Sequence, residues 1–217
     1  VGIFAAYVSR QGLALIDRAL YLPKEWTNDA VRMTAAQVPM ETPFTTKAAS
    51  AVKMIDRVLA VNVPFSWVAA SIDYGAGDVE GALRRAGKGY VLAVSGKHHF
   101  NLRLNNGAVG GSAEEIARGF APSEWQILTP NEGIHRHQIY AWIYREIADV
   151  DASEYQMEKS GLWTRGLLVR RNLCGGELEF FTTWCPAGTG MRKLATVDGC
   201  RQAVERCFEI AKSKLGL

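Results

Sequence analysis

What the 217-residue sequence lacks excludes several classes of protein. No apolar run approaches the ~18 residues of a membrane-spanning helix. No basic segment followed by an apolar stretch and a small-residue cleavage site marks a signal peptide. We therefore expect a cytoplasmic chain with no membrane partner. Charged residues make up only 22% of the chain, the net charge is +3 and 48% of the residues are hydrophobic, which excludes disorder as the main state.

Cysteine is scarce and has no metal-binding spacing. The four cysteines are Cys174, Cys185, Cys200 and Cys207. None forms a Cys-x-x-Cys pair, so a zinc ribbon is not favoured. Free cysteine packs as a small hydrophobic residue, and we expect core thiols in a reducing compartment. The histidines, His98-His99 and His135-x-His137, require no metal site, although a soluble metal- or thiol-dependent α/β enzyme stays open as an alternative.

Positive charge is distributed unevenly along the chain. Residues 192–217 contain six basic and three acidic side chains, so this segment accounts for the whole net charge of +3. Residues 81–113 contain five basic side chains and no acid. Such patches suit a polyanion such as nucleic acid, and the alternative is an ordinary solvated surface.

Hydrophobic periodicity predicts alternating strands and helices in the first half. Residues 1–8 and 12–22 are expected to form a β-hairpin. Residues 46–60 have apolar positions at helical spacing. A strand over 65–72, a helix over 77–86 and a strand over 88–95 are expected to follow. This alternation predicts a layered α/β domain with a parallel pair of strands.

The second half is predicted to be rich in strands. Residues 98–111 are rich in Asn, Gly and His and are expected to form a loop. Ser112-x-x-Glu115 is a capping-box signal for a short helix to Phe120. The later expected elements are strands over 137–147, 162–171 and 177–184 and a helix over 198–214.

Two groups of residues have the character of a catalytic site. Asp73 ends a buried strand, where active sites of open α/β sheets gather, although an acid that starts the next helix is the alternative. Arg201, Glu205 and Lys212 share one face of the last predicted helix. A Glu flanked by cations stays ionised and could bind a hard divalent cation, while the cations could hold phosphates. An ordinary solvated ion pair is the alternative.

Longer strings of residues resemble one family. The pattern Arg201-x3-Glu205-x6-Lys212 resembles the signature around the catalytic Glu of bacterial insertion-sequence transposases of the DDE superfamily. Further segments similar to this family are residues 15–23, 67–70, 74–75, 77–78, 83–92, 161–168 and 184–190. Together these strings extend over nearly the whole chain.

The resemblance implies an α/β fold with a ribonuclease H-like mixed sheet and flanking helices, interrupted by a β-rich insertion. Residues 1–97 would form the first part of the core, residues 98–191 the insertion, and residues 192–217 the helix that carries the Glu. Val1 falls at the family's second strand. We therefore expect an N-terminally truncated chain that lacks the first strand and its catalytic Asp.

The resemblance also implies a chemistry. Such transposases nick DNA and transfer strands with two divalent ions, Mg²⁺ or Mn²⁺, held by three carboxylates. The implied partner is the double-stranded DNA of transposon ends, bound by a homodimer, and no nucleotide cofactor is expected. Glu205 and Asp73 are the implied metal ligands, and Arg201 and Lys212 the implied phosphate-holding groups.

Two positions depart from the family pattern. The family's second Asp falls on Ser71, and Asp73, on the same side of an extended strand, is the nearest substitute at up to ~7 Å. Asp198 stands where the family has a Tyr three residues before Arg201, and an Asp would repel phosphate. We therefore expect a transposase fragment that is impaired or inactive in cleavage, with a catalytically dead DNA-binding remnant as the alternative.

Basic and aromatic side chains are the expected contacts with DNA. The candidates for phosphate contacts are Arg84, Arg85, Lys88, Arg165, Arg170 and Arg171. Trp163 and Trp184 are candidates for stacking on a flipped base near the cut. Because Trp is mostly buried in proteins, packing in the core is the alternative for both.

Overall fold

The computed structural model describes residues 1–74, 77–104, 107–128, 139–147, 157–158 and 161–215. Internal contacts divide the chain into two units, Val1–Val63 and Pro64–Leu217. In the described ranges, no helix is both long and apolar enough to cross a membrane.

The first unit, all of which is described, combines a β-hairpin with three helices. Its elements are β1 (Gly2–Ser9), β2 (Gly12–Leu20), α1 (Lys24–Thr27), α2 (Ala30–Ala35) and α3 (Lys47–Ala60). β1 and β2 pair antiparallel through a two-residue turn, which confirms the predicted hairpin. α3 confirms the helix predicted over 46–60. The Thr46 hydroxyl caps it by accepting a hydrogen bond from the Ala49 amide at 3.1 Å, as a good N-cap residue does.

The second unit is built on a mixed β-sheet. In chain order its described elements are β3 (Trp67–Ala70), α4 (Asp78–Arg85), β4 (Gly89–Val94), β5 (His99–Leu104), β6 (Gly107–Ser112), α5 (Ala113–Arg118), β7 (Gln126–Leu128), β8 (Tyr140–Ile147), β9 (Met157–Glu158), β10 (Gly161–Asn172), β11 (Leu178–Pro186) and α6 (Met191–Leu215). The strand order is β3-β4-β11-β10-β8-β7, with β9 paired to β10. β3 and β4 are parallel, and β4 runs antiparallel to β11. The predicted mixed α/β fold and its parallel pair of strands are confirmed.

Local signals set the starts of two helices as predicted. α4 has Asp78 and Glu80 in its first turn, where the helix dipole favours acids. α5 begins with a complete capping box. The Glu115 amide donates to the Ser112 hydroxyl at 3.2 Å, and the Ser112 amide donates to the Glu115 carboxylate at 2.8 Å.

Apolar residues alternate between the two faces of the sheet, as the two-residue period of an extended strand requires. The face covered by α6 is lined by buried residues that include Val91, Trp142, Leu168, Phe181, Leu194 and Val197. The opposite face packs on α5 and on the start of β5, through Ile143, Leu167, Val169, Phe180, Phe100 and Ala117. β10 therefore contributes to both cores and stands between them.

Pairing between β4 and β11 makes the sheet continuous across the predicted start of the β-rich insertion. The register runs from Tyr90 opposite Trp184 to Val94 opposite Phe180. A strand predicted for the core therefore pairs directly with the last predicted strand of the insertion.

Three sequence expectations need correction or restriction. The loop expected over 98–111 is wrong, because β5 and β6 pair there as an antiparallel hairpin. Glycines, which are poor strand formers, mask this signal, and the buried Phe100 ring anchors the hairpin. α6 begins at Met191 instead of 198, because Leu194 and Val197 already pack on the sheet. The strand predicted over 137–147 is observed over Tyr140–Ile147, and its first two residues lie outside the described ranges.

Two glycine substitutions should have opposite effects on stability. A Cβ at Gly166 in β10 would lie 2.6 Å from the hydroxyl oxygen of Tyr144, so Gly166→Ala forces the ring to move. We expect it to lower the free energy of unfolding by about 1–3 kcal/mol. A Cβ at Gly199 in α6 meets nothing within 4 Å, so Gly199→Ala should raise it by about 0.5–1 kcal/mol. Urea denaturation measures both, and a neutral Gly166→Ala would contradict the packing described.

Candidate functional site

The candidate catalytic elements of the second unit lie at one end of the sheet. This is the end at which β3 and β4 finish. α6 starts five residues after β11 and runs back along the sheet. Its first turn lies near the start of β3, where Lys193 Nζ is 5.7 Å from the centroid of the Trp67 ring. Farther along α6, Arg201 Nη2 lies 3.3 Å from Glu179 Oε2, near the start of β11. Because β11 is antiparallel to β4, this contact lies at the end where β4 finishes.

A buried ion pair fastens α6 to the sheet at this end. Asp198 of α6 and Arg170 of β10 are 0% and 4% exposed. The Arg170 Nη1 donates to Asp198 Oδ2 at 2.6 Å. Arg201 Nε donates to the other oxygen of Asp198 at 2.9 Å, and the Gln202 amide nitrogen donates to Oδ2 at 2.8 Å. The Asp198 carboxylate therefore accepts hydrogen bonds from three side chains, two of them cationic.

Aromatic rings surround the Arg170 guanidinium. Its Cζ lies 4.4 Å from the ring centroid of Tyr140, 5.6 Å from that of Trp142 and 5.7 Å from that of Phe181. Arg170 Nη2 also contacts Glu179 Oε2 at 2.6 Å. Cation–π contacts are stronger where water is excluded, so the rings and the two carboxylates together offset the cost of burying the charge.

Arg201 joins this cluster to the predicted catalytic Glu. Arg201 Nη1 donates to Glu205 Oε1 at 2.6 Å, one helical turn along α6. The Arg201 side chain is only 11% exposed, whereas that of Glu205 is 50% exposed. Burial alone lowers the pKa of the Arg201 guanidinium, but the carboxylates of Asp198, Glu205 and Glu179 outweigh burial and raise it. The predicted Arg201–Glu205 neighbourhood is therefore present, and the guanidinium is engaged by carboxylates.

Asp73 and Ser71 follow β3 at the same end of the sheet. Ser71 is half-buried directly after the strand, and Asp73 is exposed in a 3-10 turn over Ile72–Tyr74. Glu179, which shares Arg201 with Glu205, belongs to β11, two strands from β3. β11 and β3 are therefore separated by two strand spacings, or ~10 Å. Lys212 is exposed on the last turns of α6.

The described residues show no preformed divalent metal site. In the part of the chain that the structure describes, no group of three or more His, Cys, Asp and Glu side chains is arranged to hold a metal ion. A hard cation binds through carboxylate oxygens, and one oxygen of Glu205 is held by Arg201. One oxygen of the predicted ligand Glu205 is therefore engaged by a cation, and a metal shared by Glu205 and Asp73 stays a prediction.

The residues predicted to contact DNA differ in their surroundings. Arg84 donates through Nε and Nη2 to the Tyr90 hydroxyl at 3.1 and 3.0 Å, and burial raises the pKa of that phenol. Lys88 Nζ donates to the Phe65 carbonyl at 2.9 Å. Arg85, by contrast, is exposed to solvent. Arg85 is therefore the member of this helix segment best placed to meet a polyanion.

Arg165 and Trp163 lie in the interior. Arg165 Nη2 lies 4.0 Å from Glu80 Oε1 and 3.4 Å from His98 Nε2. Burial and the Arg165 charge lower the pKa of His98, although Glu80 opposes them. Trp163 is 8% exposed and stacks on Trp184, with ring centroids 6.1 Å apart. Both tryptophans have the packing role that was the alternative to stacking on a base.

Sequence reasoning missed the ion-pair cluster around Asp198. Arg170 was assigned to phosphate contact and Asp198 only to phosphate repulsion, and Glu179 was not assigned. The signal was present: Arg170 falls two residues after Leu168, on the same face of an apolar strand, and Asp198 precedes Arg201 by three helical positions. An arginine at a core position of a strand requires a buried partner.

The cysteines do not form a thiol site. Cys185 is buried, with its sulfur 3.5 Å from the Tyr144 hydroxyl, and burial raises the pKa of its thiol. Cys174 and Cys207 are exposed, so the expectation of core thiols is wrong for these two. Cys174 follows the end of β10 and Cys207 lies on the outer part of α6, where neither packs on the sheet.

Removing the buried charge and the exposed charge of this cluster should cost very different amounts of stability. Asp198→Asn removes the buried negative charge that pairs with Arg170 and Arg201. We expect the free energy of unfolding to fall by about 3–5 kcal/mol. Glu205→Gln removes a half-exposed partner of the same Arg201, and the loss should stay below about 1 kcal/mol. Urea denaturation measures both variants. Equal losses would show that Asp198 does not anchor α6.

Thiol reactivity should separate the cysteines. With an aromatic disulfide reagent at pH 8, Cys174 and Cys207 should react fast because they are exposed, and Cys185 only on unfolding because burial raises its pKa. The measurement is the release of coloured thiolate with time, with and without denaturant. Cys185→Ser should leave the fast phase unchanged, and its loss in that variant would contradict the burial described.

Comparison with known families gives one match, over the first part of the chain. Residues 1–106 match the model of the DDE superfamily endonucleases, a range that includes Asp73 and Arg85 and ends before Arg201. No curated protein and no solved structure gives a match. Members of this superfamily generally use divalent metals, and their substrate is DNA. The mixed sheet with flanking helices is consistent with a ribonuclease H-like domain, and the match over residues 1–106 supports a transposase-type domain of the DDE superfamily.

Proposed function

We propose that this chain contains a DNA-binding, transposase-type domain in which metal-dependent nicking and strand transfer are impaired or absent. The observation that carries the proposal is the buried Asp198, which stands where the family pattern has a Tyr and holds the Arg201 guanidinium, the partner of Glu205, towards the interior. The predicted acid of the last helix is thereby tied to a cation. The resemblance to the family implies three carboxylates that hold two divalent ions, and an ion pair with a cation competes with metal binding by a carboxylate.

The substitution at the end of β3 supports the same conclusion. Ser71 offers a neutral hydroxyl where the family pattern has an Asp, and a hydroxyl cannot supply the negative charge that a hard cation favours. Asp73 is the acid nearest in sequence, on the turn that follows. If Mg²⁺ or Mn²⁺ binds to this chain, Asp73 and Glu205 are its proposed ligands.

DNA binding is proposed to rest on exposed cations. The exposed basic side chains of α4 and α6 include Arg85, Arg192, Lys193, Arg206, Lys212 and Lys214. They suit the phosphates of double-stranded DNA, and a homodimer on paired DNA ends is the arrangement that the family implies. We retain residues 1–97, 98–191 and 192–217 as the proposed core, insertion and Glu-bearing helix.

A catalytically dead DNA-binding remnant is the second candidate, and the same geometry favours it. The third, an unrelated metal- or thiol-dependent enzyme, has no support in the described histidines and cysteines. The buried Cys185 thiol has a raised pKa and would be a weak nucleophile.

Cleavage assays distinguish an impaired enzyme from an active one. We expect no cleavage when the 217-residue chain is incubated with nicked and terminal-repeat DNA in Mg²⁺ or Mn²⁺. The readout is the release of labelled fragments on a denaturing gel. Metal-dependent cutting that Glu205→Gln abolishes would overturn the proposal of impaired catalysis and leave the family assignment intact.

Salt dependence tests the proposed DNA binding. Affinity should fall with rising salt, and Arg85→Gln should reduce the slope of log K against log salt by about 1, because one phosphate contact is lost. Arg118→Gln is the matched control, because Arg118 is exposed but already paired with Glu114 at 2.6 Å. Fluorescence anisotropy of labelled duplex DNA measures both slopes. Binding that does not change with salt would count against the proposal.

A further inference from the structure

The first unit contains a cleft that the proposed function does not use. Its volume is about 230 Å³, and it lies between the end of β2, the segment before α3 and one face of α3. All residues of this unit are described. The cleft shares no residue with the Asp198 cluster of the second unit.

One wall of the cleft is a group of hydrogen-bond donors. Ser50 lines the cleft and is only 7% exposed. Its amide donates to the Thr46 carbonyl at 3.0 Å within α3. Thr42 and Thr45 add two more hydroxyls to the lining. Because these three residues line the cleft, their hydroxyls are available to donate to a ligand there.

Positive charge lies beside these hydroxyls. Lys53 is three residues after Ser50 on α3, so the two side chains project from one face of the helix, and both line the cleft. Lys53 is exposed and forms no ion pair within this unit. Arg57, one turn farther, also lines the cleft and contacts Asp17 at 2.7 Å. None of the lining residues is acidic, so hydroxyls and cations together present donors suited to an anion.

Part of the cleft lining is apolar. Leu20, Leu22 and Pro43 belong to this part, and Leu20 is 65% exposed. An exposed leucine beside a polar cleft suits a ligand that has an apolar flat face as well as an anionic group. The volume lies just below the ~300–1,000 Å³ of typical ligand sites, so it suits one small unit.

We propose that this cleft binds one nucleotide, with its phosphate on Ser50 and Lys53 and its base or sugar against Leu20 and Leu22. The phosphate ester is either part of a DNA strand or belongs to a free nucleoside monophosphate. The proposal goes beyond the DNA binding assigned to Arg85 and α6, because its residues belong to the first unit.

The experiment follows the amide signals of Ser50 and Lys53 in the isotope-labelled full chain by nuclear magnetic resonance. The chain is titrated with thymidine 5′-monophosphate, with thymidine and with a short 5′-phosphorylated duplex. We expect saturable shifts at both amides with the monophosphate or with the duplex, and none with thymidine. Binding of the monophosphate identifies the free nucleotide as a ligand, and binding of the duplex alone identifies DNA.

Two variants and a matched control make the test specific. Lys53→Gln and Ser50→Ala should each weaken binding by about tenfold, as expected for the loss of one charge-assisted hydrogen bond. Lys24→Gln removes an exposed lysine of the same unit outside the cleft and should change nothing. Thermal midpoints check that each variant folds. Absence of shifts at Ser50 and Lys53, equal binding of thymidine, or binding that neither variant weakens would overturn the proposal.

Failure of this proposal and failure of the proposed function are distinguishable. Loss of salt-dependent DNA binding through Arg85 would contradict the proposed function and leave binding of the monophosphate in the cleft intact. Conversely, an empty cleft leaves the DNA binding of α4 and α6 unaffected.

Discussion

The buried ion pair between Arg170 of β10 and Asp198 of α6 is the contact on which the second unit depends. It joins the middle of the sheet to the long helix, and both partners are at most 4% exposed. A buried charge that loses its partner costs several kcal/mol. The helix therefore cannot slide along the sheet without a large loss of free energy, whereas its purely apolar contacts with Phe181 and Leu168 would tolerate a small shift.

This constraint fixes the position of the candidate catalytic acid. Arg201 is shared among Asp198, Glu205 and Glu179, so the guanidinium organises three carboxylates at one end of the sheet. Asp198 takes up positive charge that would otherwise be available to phosphate. Glu205 is half exposed because it is the outermost member of the cluster, and in that position it can exchange partners at lower cost than Asp198.

Hydrophobic patterning predicted the elements more fully than the site. The hairpin of β1 and β2, α3, α4 and the parallel β3–β4 pair follow from periodicity and capping residues near in sequence. The β5–β6 hairpin was missed because glycine conceals strand periodicity. The Arg170–Asp198 pair was missed for a different reason: its partners are 28 residues apart, and only the packing of α6 on β10 brings them together. The spacing of Arg201 and Glu205 predicted their contact but not the burial of Arg201.

Under the proposed function, stability and catalysis would compete for the same side chains. A tyrosine at position 198 would bring no charge into the interior and would leave Arg170 and Arg201 with Glu179 and Glu205 alone. The aspartate adds a carboxylate that is satisfied only when both arginines turn towards it. Because Asp198 holds the Arg201 guanidinium towards the interior, the guanidinium is less available to a phosphate at the surface. The ion pairs of Asp198 restrict the Arg201 side chain, and through it Glu205, so that both are less available to bind DNA or metal. The same contacts that hold α6 on the sheet would therefore account for the proposed loss of cleavage.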